Sequence, residues 1–134
     1  MSSLTIGKVA QQAGVGVETV RFYAREGLIA QPPQRAFGFR QYPPETVARL
    51  QFIQRAKQLG FSLKEIRDLL ELRVGRDTTC AEVRERAYSK IKDIEQRIQG
   101  LQHMRKALRS LAETCQGSGP VNECPILDHL GRQD

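Results

Sequence analysis

The feature that most constrains this chain is a proline-free run from Thr79 to Thr114 in which apolar residues return at a fixed period. Ala87, Ile94, Leu101 and Leu108 recur every seven residues, with Ile91 and Ile98 between them. That spacing is the seam of a coiled coil, and it predicts one long helix. Arg105 stands where the pattern asks for an apolar residue, so the seam is imperfect. Thr79-Cys80-Ala81-Glu82 has the capping-box spacing that starts such a helix. One helix with a single apolar stripe has nothing of its own to bury it against, so the run predicts a homodimer. The alternative is packing against the chain's own N-terminal part, and the five-heptad length of the stripe argues against it.

The rest of the chain is short. A total of 134 residues accommodates one compact domain or two small units, not a large enzyme. Thr5 to Gly14 reads as a short helix with Thr5 as N-cap, Gly14 as stop, and Ile6, Val9, Ala10 and Ala13 on one face. After Val15-Gly16, a second helix runs from Val17 to Glu26 and stops at Gly27. Two short helices joined by a glycine-containing turn make a helix-turn-helix. Between Leu28 and Tyr42, prolines, glycine and alternating aromatics predict a small β-hairpin, a wing. Pro43-Pro44 opens a third helix with Val47, Leu50, Phe52, Ile53 and Ala56 inward, ending at Gly60. Ser62-Leu63-Lys64-Glu65 is a capping box for a fourth, with Ile66, Leu69 and Leu70 inward.

Charge is divided along the chain. Residues 1–75 carry 11 basic and 6 acidic side chains, and residues 76–134 carry 10 and 9. A basic half beside a near-neutral half is either a polyanion-binding unit joined to something else or merely a soluble basic surface. No run approaches the ~18 apolar residues of a membrane span, and no basic-then-apolar leader opens the chain, so the expectation is a cytoplasmic protein with no membrane partner.

Cys80, Cys115 and Cys124 are the three cysteines, an odd number in a chain without a secretion signal, which argues against a disulfide framework. Cys80 and Cys115 are five heptads apart and share the seam. A continuous helix separates them by about 50 Å at its ordinary rise. One chain therefore cannot gather all three thiols, whereas an antiparallel pair of helices sets Cys80 of one subunit beside Cys115 and Cys124 of its partner, giving two sites per dimer. Cys80 lies in a first helical turn. Cys124 precedes Pro125, which opens a short closing helix, and helix N-termini favour thiolates. Three thiolates suit a soft, three-coordinate ion better than structural zinc. His129 is either a fourth ligand or simply exposed, and His103, mid-helix, has no assigned role.

Arg21-Phe22-Tyr23, the segment Gly38-Phe39-Arg40-Gln41-Tyr42, and Leu59-Gly60-Phe61-Ser62-Leu63-Lys64-Glu65-Ile66 together resemble the MerR family of transcription regulators over nearly the whole chain. The pattern Cys80, Cys115 and Cys124-Pro125-Ile126-Leu127 resembles its mercury-responsive branch. The copper and gold branch typically has Ser where Cys80 stands. The zinc branch has paired cysteines and a loop histidine, the redox branch has four clustered cysteines, and the multidrug branch has a larger ligand domain. Lead and cadmium sensors share the three-cysteine spacing.

The resemblance implies an all-α chain with a small β wing: a winged helix-turn-helix DNA-binding domain (1–75), a long antiparallel coiled-coil dimerisation helix (76–114), and a metal-binding loop with a short C-terminal helix (115–134). It implies a non-enzymatic regulator. The chain has no Cys-x-x-Cys, no glycine-rich phosphate loop and only two histidines to suggest otherwise. The expected partners are a second copy of the chain, double-stranded promoter DNA and the RNA polymerase at that promoter. The expected effector is Hg(II), with Pb(II) or Cd(II) as the alternative, one ion per site. Metal binding would distort the DNA so that the promoter of mercury-resistance genes becomes usable. Arg21 and Tyr23 on the second helix, Arg40 and Tyr42 on the wing, and Arg55 and Lys57 on the third helix are the expected DNA contacts, because Arg and Lys hold phosphate, Arg reads guanine and Tyr bonds phosphate. Phe22 is expected in the core, and Tyr42 either reaches DNA or packs there.

Overall fold

The computed structural model describes residues 3–33, 38 and 40–132. It is mostly helical and falls into two compact units, Met1–Glu85 and Arg86–Asp134. The elements in order are α1 (Ile6–Ala13), α2 (Val17–Arg25), α3 (Glu45–Gln58), α4 (Leu63–Val74), α5 (Cys80–Thr114), one 3-10 turn (Val121–Glu123) and α6 (Pro125–Leu130).

Local chemistry sets these boundaries. Thr5 Oγ1 accepts the Lys8 amide at 3.3 Å and begins α1. Gly14, at φ 74°, ends it in a left-handed conformation that any Cβ would strain, and the next amide, Val15, donates back to the Ala10 carbonyl at 2.9 Å. The capping box before α4 is complete: Ser62 Oγ accepts the Glu65 amide at 3.2 Å, and the Glu65 carboxylate accepts the Ser62 amide at 2.8 Å. At the start of α5, Glu82 reaches back to accept the Thr79 amide at 3.1 Å. Before that helix the chain turns tightly. A Cβ on Gly75 would stand 2.3 Å from Thr78 Oγ1, so only glycine fits there without displacing the threonine.

The apolar core belongs to the first unit. Val9, Val20, Leu28, Leu50, Ile53 and Ile66 are almost wholly removed from solvent, each contributing roughly 1.5–3 kcal/mol on burial. Val47, Phe52 and Leu69 pack against this cluster at its margin. Two arginines fasten the turn that follows α2. Arg49 Nε donates to the Leu28 carbonyl at 2.6 Å, and Arg67 donates to the Glu26 carbonyl. Between those carbonyls Gly27 holds φ 76°.

The β-structure is smaller than a hairpin among the described residues. It is a single antiparallel bridge between Leu4 and Tyr42. Much of the expected wing, residues 34–37 and 39, lies outside the described residues. Tyr42 leads straight into Pro43 and α3, so the bridge ties the entry to α1 to the entry to α3.

The second unit has no such core. Ile91, Ile94, Ile98, Leu101, Met104 and Leu108 on α5 are all exposed, and Leu101 and Leu108 each keep 61% of their surface. The one buried residue described on α5 is Lys90, whose ammonium lies 3.1 Å from the Asp93 carboxylate. An amphipathic helix of this length with its apolar stripe in solvent lacks the burial that makes helices stable in water.

Candidate metal centre and nucleic-acid interface

The three cysteines are all free thiols. Cys80 is the first residue of α5 and is exposed. Cys115 directly follows α5, half-buried, and its Sγ accepts the Gly117 amide at 3.4 Å. Gly117 and Gly119 hold φ of 75° and 101°, so the hook between α5 and the 3-10 turn depends on two left-handed residues. Cys124 is the N-cap of α6, with Pro125 at the first helical position as the sequence predicts. Cys115 and Cys124 line one concavity of about 560 Å³ together with Pro120, Val121 and Leu127. Among the described residues of a single chain, no three Cys, His, Asp or Glu side chains converge on a metal-sized site. Glu123, Gln116 and Ser118 line the same concavity, so its wall is mixed polar and apolar. The two thiols are the soft donors it offers, and soft thiolates suit a thiophilic ion.

The expected DNA contacts divide into two groups. Arg21, Arg55 and Lys57 are exposed. Arg21 bonds the Glu18 carboxylate at 2.6 Å on the open face of α2. Arg40 is half-buried in a concavity that it shares with Arg21 and Arg25. Arg25 was not among the expected contacts. Its signal was the four-residue spacing from Arg21, which puts the two on one face of α2. Lys57 Nζ lies 6.0 Å from the centroid of the Tyr23 ring.

The two tyrosines are core residues, contrary to the expectation that Tyr23 reaches DNA and in line with the packing alternative for Tyr42. Tyr23 is 3% exposed and Tyr42 is 2% exposed. Helical geometry explains the first. Val20 and Tyr23 are three residues apart and share the buried face of α2, which rotates Phe22 by about 100° toward solvent. Phe22 is accordingly exposed rather than buried, reversing the expectation for that pair. Its ring meets Tyr23 at 5.5 Å between centroids, and the Arg25 guanidinium lies 6.0 Å from its centre. Tyr42 is held inward by its pairing with Leu4.

A family model described as MerR HTH family regulatory protein matches residues 4–73, and one described as MerR, DNA binding matches residues 47–111. This chain belongs to the MerR family. Over 125 residues it is 38% identical to the mercuric resistance operon regulatory protein of Bacillus cereus, covering 93% of this chain and 95% of the relative. Two solved structures are similar along nearly its full length. The transcription regulator PbrR691 from Ralstonia metallidurans CH34, in complex with lead(II), has a TM-score of 0.84 at 33% identity, covering 96% of this chain and 99% of that one. MerR from Bacillus megaterium MB1, in complex with mercury(II), has a TM-score of 0.71 at 35% identity, covering 96% and 100%. Both family models end before Cys115, so the hook of this MerR-family chain is matched only through its relatives. Among the described residues, no helix is long and apolar enough to cross a membrane.

Proposed function

We propose that this MerR-family chain is a metal-responsive transcription regulator. It binds promoter DNA as a homodimer and answers Hg(II) through Cys80, Cys115 and Cys124. The observation that carries the reading is the shared concavity of Cys115 and Cys124 at the end of a 35-residue helix that begins at Cys80 and leaves its apolar seam in solvent. A partner helix running antiparallel covers the seam and brings its own Cys80 to that concavity. Each dimer then has two sites, each built by both subunits. When bound, the ion supplies metal–thiolate bonds that crosslink one subunit's helix start to the other's helix end. Cys124 presents its sulfur from the cap of α6, and the Gly117 amide orients Cys115.

In this reading residues 1–75 form the DNA-binding domain, 76–114 the dimerisation helix and 115–134 the metal hook. Arg21, Arg40, Arg55 and Lys57 bear the DNA contacts. Tyr23 and Tyr42 hold the surfaces that carry them. Bending and untwisting promoter DNA costs a few kcal/mol, and metal binding supplies this only through its preference for one of two dimer conformations. The realigned promoter is then taken up by RNA polymerase in the cytoplasm. A promoter–reporter titration with Hg(II), Pb(II), Cd(II), Zn(II) and Cu(I) tests the reading. Half-maximal induction at the lowest concentration by Hg(II) supports it, and a response to Zn(II) or Cu(I) alone removes it.

Regulation by Pb(II) is the second reading. It is favoured by the higher TM-score of the lead-bound structure at nearly the same identity as the mercury-bound one. The same titration separates the two.

A further inference from the structure

Two of the three free thiols stand on one wall. Cys115 and Cys124 line the same concavity of about 560 Å³, at the two ends of the hook that joins α5 to α6. The chain turns back between them through Gly117 and Gly119, at φ of 75° and 101°. It then passes through the 3-10 turn Val121–Glu123, where the Cys124 amide donates to the Val121 carbonyl at 3.1 Å. The Gly117 amide donates to the Cys115 sulfur at 3.4 Å, which holds that sulfur over the hook. Both cysteines are half-buried. Cys80 differs on both counts: it is exposed and begins the 35-residue α5, whose other end leads to Cys115.

Two thiols set on one wall by a folded segment have a chemistry of their own, apart from metal binding. A disulfide needs its two Cα atoms within about 7 Å, and joining distant residues costs the entropy of closing the loop between them. Folding has already closed this loop, and its two left-handed glycines carry no Cβ to resist a final adjustment. Gln116, Ser118 and Glu123 give a small polar oxidant a polar lining.

We propose that Cys115 and Cys124 form a reversible oxidation site, at which hydrogen peroxide joins them in an intrachain disulfide. One sulfur attacks a peroxide oxygen. An S–O bond forms, the O–O bond breaks, and the displaced hydroxide takes the thiol proton and leaves as water. The second sulfur then displaces the sulfenic hydroxyl. The S–S bond forms, the S–O bond breaks, and the hydroxyl takes the second thiol proton and leaves as a second water. Two thiols are oxidised and one peroxide is reduced. A dithiol reverses the step by exchange, itself becoming a disulfide. The consequence for metal rests on the Hg(II) reading above: a closed hook withdraws two of the three thiolates, and a bound ion shields both sulfurs from the oxidant.

The test uses the full chain, reduced and then treated with a small molar excess of hydrogen peroxide. Remaining thiols are capped with N-ethylmaleimide before digestion with trypsin. Cys115 and Cys124 fall on one tryptic peptide, 110–132, and Cys80 on another, 77–84. Mass spectrometry is expected to find peptide 110–132 uncapped and lighter by two hydrogens, with peptide 77–84 capped. Cys80→Ser should give the same product at the same rate, and Cys115→Ser and Cys124→Ser should lose it. Dithiothreitol should restore capping at all three positions. Oxidised protein should lose most of its ultraviolet thiolate-to-metal absorption on titration with Hg(II), and regain it once dithiothreitol has been added and removed. Protein loaded with Hg(II) before the peroxide should keep peptide 110–132 free of the disulfide.

A crosslink between peptides 77–84 and 110–132 as the main product would overturn the assignment, because the oxidised pair would then be one of Cys80 with a hook thiol. Capping of all three thiols after peroxide would overturn it as well, as would oxygen added to one hook cysteine while the other stays capped. Full Hg(II) absorption by oxidised protein that carries the linked peptide would refute the control of metal binding. If the reduced protein gives no Hg(II) absorption, the metal reading fails, while the linked peptide still establishes the oxidation site.

Discussion

Leu4 and Tyr42 exchange both of their backbone hydrogen bonds, the Leu4 amide to the Tyr42 carbonyl at 2.8 Å and the Tyr42 amide to the Leu4 carbonyl at 2.7 Å. This reciprocal pair closes the first unit across 38 positions of sequence and turns the Tyr42 ring into the core. Tyr42→Ala should therefore destabilise the fold by about 3–5 kcal/mol, as expected for an aromatic truncated in a packed interior. Tyr42→Phe should leave DNA affinity within twofold of wild type. A tenfold loss for Tyr42→Phe in a protein of unchanged melting temperature would mean that the hydroxyl touches DNA after all.

Arg21→Ala should weaken DNA binding with little effect on folding. Its ion pair with Glu18 joins two largely exposed side chains, and such pairs contribute under about 1 kcal/mol. The binding defect should shrink as salt rises if the contact that Arg21 makes is to phosphate. Glu18→Gln should act in the opposite direction and tighten binding, since it releases Arg21 and removes a negative charge. Binding by Arg21→Ala equal to wild type at low salt would take Arg21 out of the interface.

Leu101→Glu and Leu108→Glu should each convert the dimer into unstable monomers. Both leucines are exposed in the single chain; in the proposed dimer a partner helix would bury them, and a carboxylate buried there would be left unpaired. Sedimentation velocity reads the outcome. A full-strength dimer in either variant would place the interface elsewhere.

Cys80→Ala and Cys115→Ala homodimers should each lose the complete three-thiolate site. Mixing the two should restore one site per heterodimer. One end then combines the intact Cys80 of one chain with the Cys115 and Cys124 of the other, while the opposite end lacks both Cys80 and Cys115. Ultraviolet thiolate-to-metal absorption during Hg(II) titration measures the recovery. Verified heterodimers without a three-thiolate signal would end the intersubunit site.

What the sequence determined by itself was whatever depends on neighbours along the chain. Thr5, Gly14 and the Ser62–Glu65 pair terminate helices through bonds spanning three to five residues, and each was legible because its partners are local. The heptad seam was legible for the same reason: helical periodicity alone puts Ile94, Leu101 and Leu108 on one stripe. The tertiary structure decided what depends on rotation and on distant segments. Phe22 and Tyr23 are adjacent and both aromatic, so composition did not say which turns inward. The packing of α1 against α2, with Val20 and Tyr23 in the shared core, did. Arg25 joined the arginine concavity only because Arg40 returns beside α2 after the Leu28 turn, held by the Leu4–Tyr42 bridge. Contacts of that kind are chosen by the burial of the whole core, and no local pattern encodes them.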